Sequence, residues 1–91
     1  MKYAVDTTSA FKRDYKRAIK RHLPIEKLKA VVEKLVNGES LSPANRDHAL
    51  TGNWANHREC HITPDWLLIY QIKEDVLVLE LTRTGSHSDL F

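Results

Sequence analysis

Four histidines, an aspartate and an arginine crowd the second half of this 91-residue chain: His48, His57, His61, Asp65, Arg83 and His87. Histidine is the side chain whose ordinary pKa, about 6.5, lets it give or take a proton near neutrality. Arginine adds a planar, permanently charged fork that matches a phosphate. Cleavage of RNA without a metal needs these parts. A base removes the proton of the ribose 2′-hydroxyl, an acid protonates the departing 5′-oxygen, and a fixed cation stabilises the charge that builds on the phosphorus centre. The final segment RTGSHSDLF, residues 83–91, gathers Arg83, His87 and Phe91 at a chain end, where frayed residues seldom carry chemistry. Trp54, Trp66 and Phe91 are aromatics able to stack on splayed bases, although a tryptophan heading a strand, as Trp66 does, commonly packs in a core.

Two other chemistries fit less well. Cys60 is the single cysteine, so no internal disulfide forms and a reducing compartment is expected. Successive strand residues point to opposite faces, so an extended HRECHI segment sets His57, Glu59 and His61 on one face and Cys60 with Ile62 on the other. That separates the thiol from His61 and predicts a buried Cys60. The spacing His57-x3-His61 belongs to helical metal sites, yet it falls in a strand pattern with no companion cysteine pair, and no metal or other cofactor is expected.

The elements that position these groups follow from periodicity. A short strand is predicted at Lys2–Val5. Ser9 is the expected N-cap of a first helix whose apolar stripe is Phe11, Tyr15, Ala18, Ile19 and His22, with Lys12, Arg13, Lys16, Arg17, Lys20 and Arg21 on the opposite arc. Pro24 opens a second helix with Ile25, Leu28, Val31, Val32, Leu35 and Val36 as its buried stripe, and the Asn37-Gly38 pair stops it. A short link makes the two an antiparallel hairpin. The polar stretch from Leu41 to His57 reads as a long ordered loop. The strands RECHI, WLLIYQIK and VLVLELTR then alternate with a Thr-Pro-Asp turn and a tight Glu-Asp turn, an antiparallel meander. The order predicts a single α+β domain over residues 1–91 in which helices cover one sheet face and leave the other available.

Charge is divided along the chain. Residues 1–34 carry a net +6 and residues 35–91 a net −4. A basic end of this kind favours a polyanion or an acidic protein partner. No apolar run approaches the roughly 18 residues that span a bilayer, and the N-terminus lacks the h-region of a secretory signal, so a cytoplasmic protein without membrane contact is expected.

The segments DHALTGNWANHRECHITPDWLLIYQI and LELTRTGSHSDLF together resemble the YafQ-type toxins of bacterial type II toxin-antitoxin systems, within the RelE/ParE superfamily. The resemblance implies a RelE-like fold and a ribosome-dependent, metal-independent mRNA endonuclease that cuts messages in the ribosomal A site. It carries acid–base roles onto His48, His61, Asp65 and His87, with His87 as general acid and His48 or His61, assisted by Asp65, as base. Arg83 matches the phosphate-binding arginine, and Trp66 and Phe91 match positions that line the site. The basic helix, Lys12 to Arg21, would contact ribosomal RNA. An acidic cognate antitoxin would hold the toxin inactive, in a heterotetramer able to bind its own operator DNA. The alternatives are a ParE-like gyrase poison and a non-catalytic RNA-binding module; neither needs a matched set of proton-transfer groups.

Overall fold

The computed structural model describes all residues from Met1 to Phe91. Helix α1, Ser9–Lys20, starts at its expected cap, and the cap lies one residue earlier: Thr8 takes that place, its hydroxyl accepting the Phe11 N–H at 2.9 Å and donating to the Thr82 carbonyl at 2.6 Å. The cap therefore also fastens the helix start to the last strand, which Ser9 would not do. Phe11 and Ala18 are buried as the stripe requires, but Ile19 is half exposed and His22 stands at φ 57° past the helix end. His22 is the left-handed residue that stops α1, and the Leu23 N–H closes the turn onto the Ala18 carbonyl at 3.1 Å. The buried position that the apolar pattern conceals is Asp14, only 4% exposed.

Helix α2, Ile25–Val36, follows Pro24 and buries Leu28, Val31 and Leu35. Gly38 ends it at φ 74°, where the Glu39 N–H returns to the Lys34 carbonyl at 2.9 Å. The Val36 carbonyl then accepts from Lys2 and Tyr3, joining the end of α2 to the start of the chain.

The sheet has five strands in the order β1-β5-β4-β3-β2: β1 Ala4–Thr7, β2 His48–Ala49, β3 Arg58–Thr63, β4 Trp66–Lys73 and β5 Val78–Gly85. Strands β2 to β5 form antiparallel pairs, while β1 lies parallel to β5, with the two helices in the connection between β1 and the rest. The expected α+β arrangement is present, with four local differences. β1 begins two residues later than Lys2. β5 also begins later, because Val76 and Leu77 belong to the preceding turn, which runs over residues 74–77 with Leu77 at φ 53°. An apolar run that continues through a turn hides the turn's end. The long loop contributes a strand, β2, and two short 3₁₀ turns, Pro43–Asn45 and Gly52–Trp54. Two residues of strand lie below what alternation can reveal.

Alternation along β4 divides the interior. Trp66, Leu68 and Tyr70 join Tyr3, Phe11, Leu28, Val31, Leu35, Cys60, Ile62, Leu79 and Leu81 in the core beneath the helices. Leu67 and Ile69 point the other way, to a small cluster with Leu90, Leu50 and Trp54. That second face carries the loop and the C-terminal turn of helix, α3, His87–Leu90.

Candidate active site

The sheet face turned away from the two long helices is organised in rows. Antiparallel pairing sets His48, Glu59, Ile69 and Arg83 opposite one another across β2, β3, β4 and β5, and sets His61, Leu67 and Gly85 in the next row. Thr82 is the extra residue of a bulge that brings Arg83 into register with Ile69. Beyond the second row the β3–β4 turn supplies Pro64 and Asp65, and α3 supplies His87. A cleft of roughly 440 Å³ opens here, lined by Glu59, His61, Pro64, Asp65, Leu67, Ser86, His87 and Ser88. Three residues singled out in the sequence, His61, Asp65 and His87, thus meet in one depression.

The histidine rings are not equivalent. His61 turns Nδ1 to the Pro64 carbonyl at 3.2 Å, and His48 turns Nδ1 to the Arg46 carbonyl at 2.7 Å. A carbonyl only accepts, so each Nδ1 holds the ring proton and each neutral ring keeps its lone pair on Nε2. On His61 that atom is unclaimed. On His48 it faces Glu59 at 3.5 Å. The geometry behind His48 is built by the chain before it: Arg46 adopts φ 47°, and Asp47 accepts from Tyr70 Oη at 2.6 Å and Arg58 Nε at 3.2 Å on the helix side of the sheet. Asn45 donates to the His61 carbonyl at 2.7 Å, which fixes the loop to β3. The Tyr70 hydroxyl, buried beside the Asp47 carboxylate, is held well above the usual phenol range, mainly by desolvation.

The His87 ring has no hydrogen-bond partner and the residue is exposed; the ring stacks on Phe91 with centroids 5.0 Å apart and planes 28° from parallel. Its position comes from α3. Ser86 accepts the Asp89 N–H while Asp89 accepts the Ser86 N–H, a reciprocal cap, and Arg21, just past the end of α1, donates to Asp89 at 2.7 Å. The Arg21 guanidinium and the Ser86 N–H hold the Asp89 carboxyl far below the ordinary carboxylate range. Gly85 serves this packing by its small size: a Cβ there would sit 3.0 Å from the Asp89 Cβ and 3.1 Å from its Oδ2. Its backbone lies outside the left-handed region, so close approach and not a turn is what excludes a side chain.

Two residues stand elsewhere than their expected roles require. Arg83, expected to offer its fork to a phosphate, gives Nε and one Nη to Asp14 at 2.6 and 3.0 Å, and Asp14 also accepts the Thr84 N–H at 3.1 Å. β1 ends opposite Leu81, so the Asp14 carboxylate meets an amide that the neighbouring strand does not reach. Trp66, expected to line the site, is 2% exposed in the core under the helices, because the first residue of β4 alternates to that face. Its indole backs the sheet. Phe91, by contrast, is 53% exposed beside His87. Glu59 is the residue that the set drawn from the sequence omits. Its signal was present, since alternation already placed it with His61.

Thiol chemistry finds no footing. Cys60 is fully buried and its thiol is pushed up to about 12 by desolvation, far from an activated thiolate. No three His, Cys, Asp or Glu side chains converge in a metal-holding arrangement. Along α1, Lys12, Arg13, Lys16 and Lys20 are exposed and form no ion pair, Arg17 lies 3.9 Å from Asp14, and Arg21 is engaged by Asp89.

The family model for the bacterial toxin of type II toxin-antitoxin systems, YafQ, matches residues 3–91. The chain belongs to the YafQ toxin family. It is 39% identical over 88 residues to the mRNA interferase toxin YafQ of Escherichia coli K12, covering 96% of this chain and 94% of that one. A metal-bound toxin from Helicobacter pylori superposes with a TM-score of 0.92 at 40% identity, over 98% of this chain and 99% of the other. The E. coli DinJ-YafQ toxin-antitoxin complex gives a TM-score of 0.90 at 35% identity, over 100% of this chain and 99% of that one. The basic helix, the cleft on the second sheet face and the C-terminal His87 segment are therefore features of a chain that matches the YafQ family nearly from end to end.

Proposed function

We propose that this toxin is an endoribonuclease that stops translation by cutting messages in the ribosomal A site through histidine acid–base chemistry without a metal. The observation that carries the reading is the meeting of His61, Asp65 and His87 in one cleft of a YafQ-family chain. In the proposed step the base, His61 or His48, takes the 2′-hydroxyl proton as the 2′-oxygen bonds to phosphorus. The bond from phosphorus to the 5′-oxygen breaks, and His87 gives that oxygen a proton. The products are a 2′,3′-cyclic phosphate and a 5′-hydroxyl end. His61 suits the base role because its Nε2 is unclaimed, and Asp65 beside it stabilises the ring once it is charged. Phe91 supports His87 from one side and offers a surface on which a base can stack. Arg83, its charge balanced by Asp14, anchors β5 at the end of the row. Trp66 supports the site from beneath.

The unpaired charges of α1, with Arg17 and Arg21 at its margins, bind ribosomal RNA, and an acidic antitoxin neutralises the toxin in a heterotetramer that binds operator DNA. The DinJ-YafQ complex supports an antitoxin partner. The protein acts in the cytoplasm, where ribosomes are; no helix is long and apolar enough to cross a membrane. The test is cleavage of a defined message with and without ribosomes, by toxin treated with a chelator that is removed before the Mg²⁺-containing ribosomes are added and by untreated toxin. Cutting that requires ribosomes and ignores the chelator is expected. Loss of cutting on chelation overturns metal independence, an outcome that the metal-bound Helicobacter pylori toxin makes worth measuring.

A further inference from the structure

We propose that Glu59 is a positioning residue for His48, so that the two side chains act as one proton-handling unit at the edge of the cleft. This rests on the nuclease reading above and adds a residue to it. Glu59 is 6% exposed, an unusual place for a carboxylate without a dedicated cation, and no lysine or arginine faces it. Its row partners are Ile69 on one side and His48 on the other, and its neighbour along β3 on the same face is His61. Glu59 also lines the cleft, while His48 does not. The carboxylate therefore lies between the His48 ring and the space where substrate would enter.

The chemistry follows from the two nitrogens of His48. Nδ1 is committed as a donor by the Arg46 carbonyl at 2.7 Å, so a proton arriving at this ring goes to Nε2, the atom 3.5 Å from the Glu59 carboxylate. A carboxylate at that place orients the ring and stabilises the charge it acquires, as carboxylates do behind histidines that relay protons. The other charged groups around the pair are accounted for. Asp47 is turned to the opposite side by Tyr70 and Arg58, Arg83 is held by Asp14, and Asp65 and His87 stand across the cleft beside His61. Leu67 and Ile69 supply an apolar floor from β4. Glu59 is thus the one carboxylate that addresses His48.

Three substitutions test this: Glu59→Gln, Glu59→Asp and His48→Ala, with the double variant of His48→Ala and Glu59→Gln. Cleavage of ribosome-bound message by Glu59→Gln should fall roughly tenfold to hundredfold in kcat with KM near that of the wild type, and the acidic limb of its pH profile should change shape. Glu59→Asp, which keeps the carboxylate, should recover part of the rate and the wild-type shape. In the His48→Ala background Glu59→Gln should cost nothing further, because its effect passes through the ring. Losses that multiply in the double variant would overturn the proposal, as would a Glu59→Gln enzyme with the wild-type profile. A separate readout needs no RNA: the ¹⁵N resonance of His48 Nε2 should move in Glu59→Gln while those of His61 and His87 stay. A ring that does not respond refutes the pairing whatever the cleavage assay gives. A responsive ring in a wild type that cuts no message refutes the nuclease and leaves the pair standing.

Discussion

At the residue scale the chemistry turns on which side chains keep a reactive atom free. His61 keeps Nε2, His48 points its own at Glu59, and His87 stands unbonded against Phe91. His87→Ala should abolish growth arrest on expression while leaving the folded toxin and its antitoxin binding intact, because the ring is exposed and makes no hydrogen bond. Equal toxicity, measured as colony counts after induction, would remove His87 from the chemistry. Asp14 has the contrary profile. It is buried, and Arg83 and Thr84 both depend on it. Asp14→Ala should lower unfolding stability by about 3–5 kcal/mol in a denaturant titration, since it strands the Arg83 charge in a partly buried place. Most of the histidine set was readable from residue type and turn position. Asp14 was not, because a single acid among basic residues on a helical wheel looks like part of the solvated arc. Nor was the commitment of Arg83, because pairing between residues 14 and 83 leaves no local trace in sequence.

At the scale of elements, α1 holds the end of the chain at three levels: Thr8 on Thr82, Asp14 on Arg83 and Thr84, and Arg21 on Asp89. The helix read as a basic binding face is also the brace of the segment that carries His87. Gly85→Ala should push α3 away from β5, because the new Cβ meets Asp89 at 3.0 Å; cleavage should drop more than thermal stability, compared by rate and Tm on the same preparation. The Arg21–Asp89 contact sets a pH window. The Asp89 carboxyl is depressed in the fold, so its contribution is fully present above the ordinary carboxylate value of about 3.9 and is lost as pH falls below it. The protection factors of the Leu90 and Phe91 amides, taken against the intrinsic exchange rate at each pH, should therefore be steady from neutrality to about pH 5 and fall in stronger acid; Arg21→Ala should lower them already at neutral pH. The helical hairpin and the meander were legible because each has a long period-consistent stripe. β2, the Thr8 cap and the end of the last turn were not, for they depend on two-residue pairings and on contacts with distant strands.

At the scale of the molecule, the proposed function divides two tasks between the sides of the sheet. The helices bury one face and leave Lys12, Arg13, Lys16 and Lys20 exposed, while the other face gathers His61, Asp65 and His87 in the cleft. Neutralising those four residues should weaken ribosome association and flatten its salt dependence, because a phosphate that meets no cation keeps its counterions; the slope should change by roughly one for each charge removed. Affinity that ignores both salt and charge would make the helix a solvated face and nothing more. Both tasks have meaning only if the cleft between β3 and α3 cuts messenger RNA. The decisive test is to map message ends in cells after induction of the wild type and of His87→Ala. Translation-dependent cuts within reading frames, with 5′-hydroxyl ends, are expected in the wild type and none in the variant. Intact messages in both, or the same cuts in both, would contradict a nuclease that works through His87.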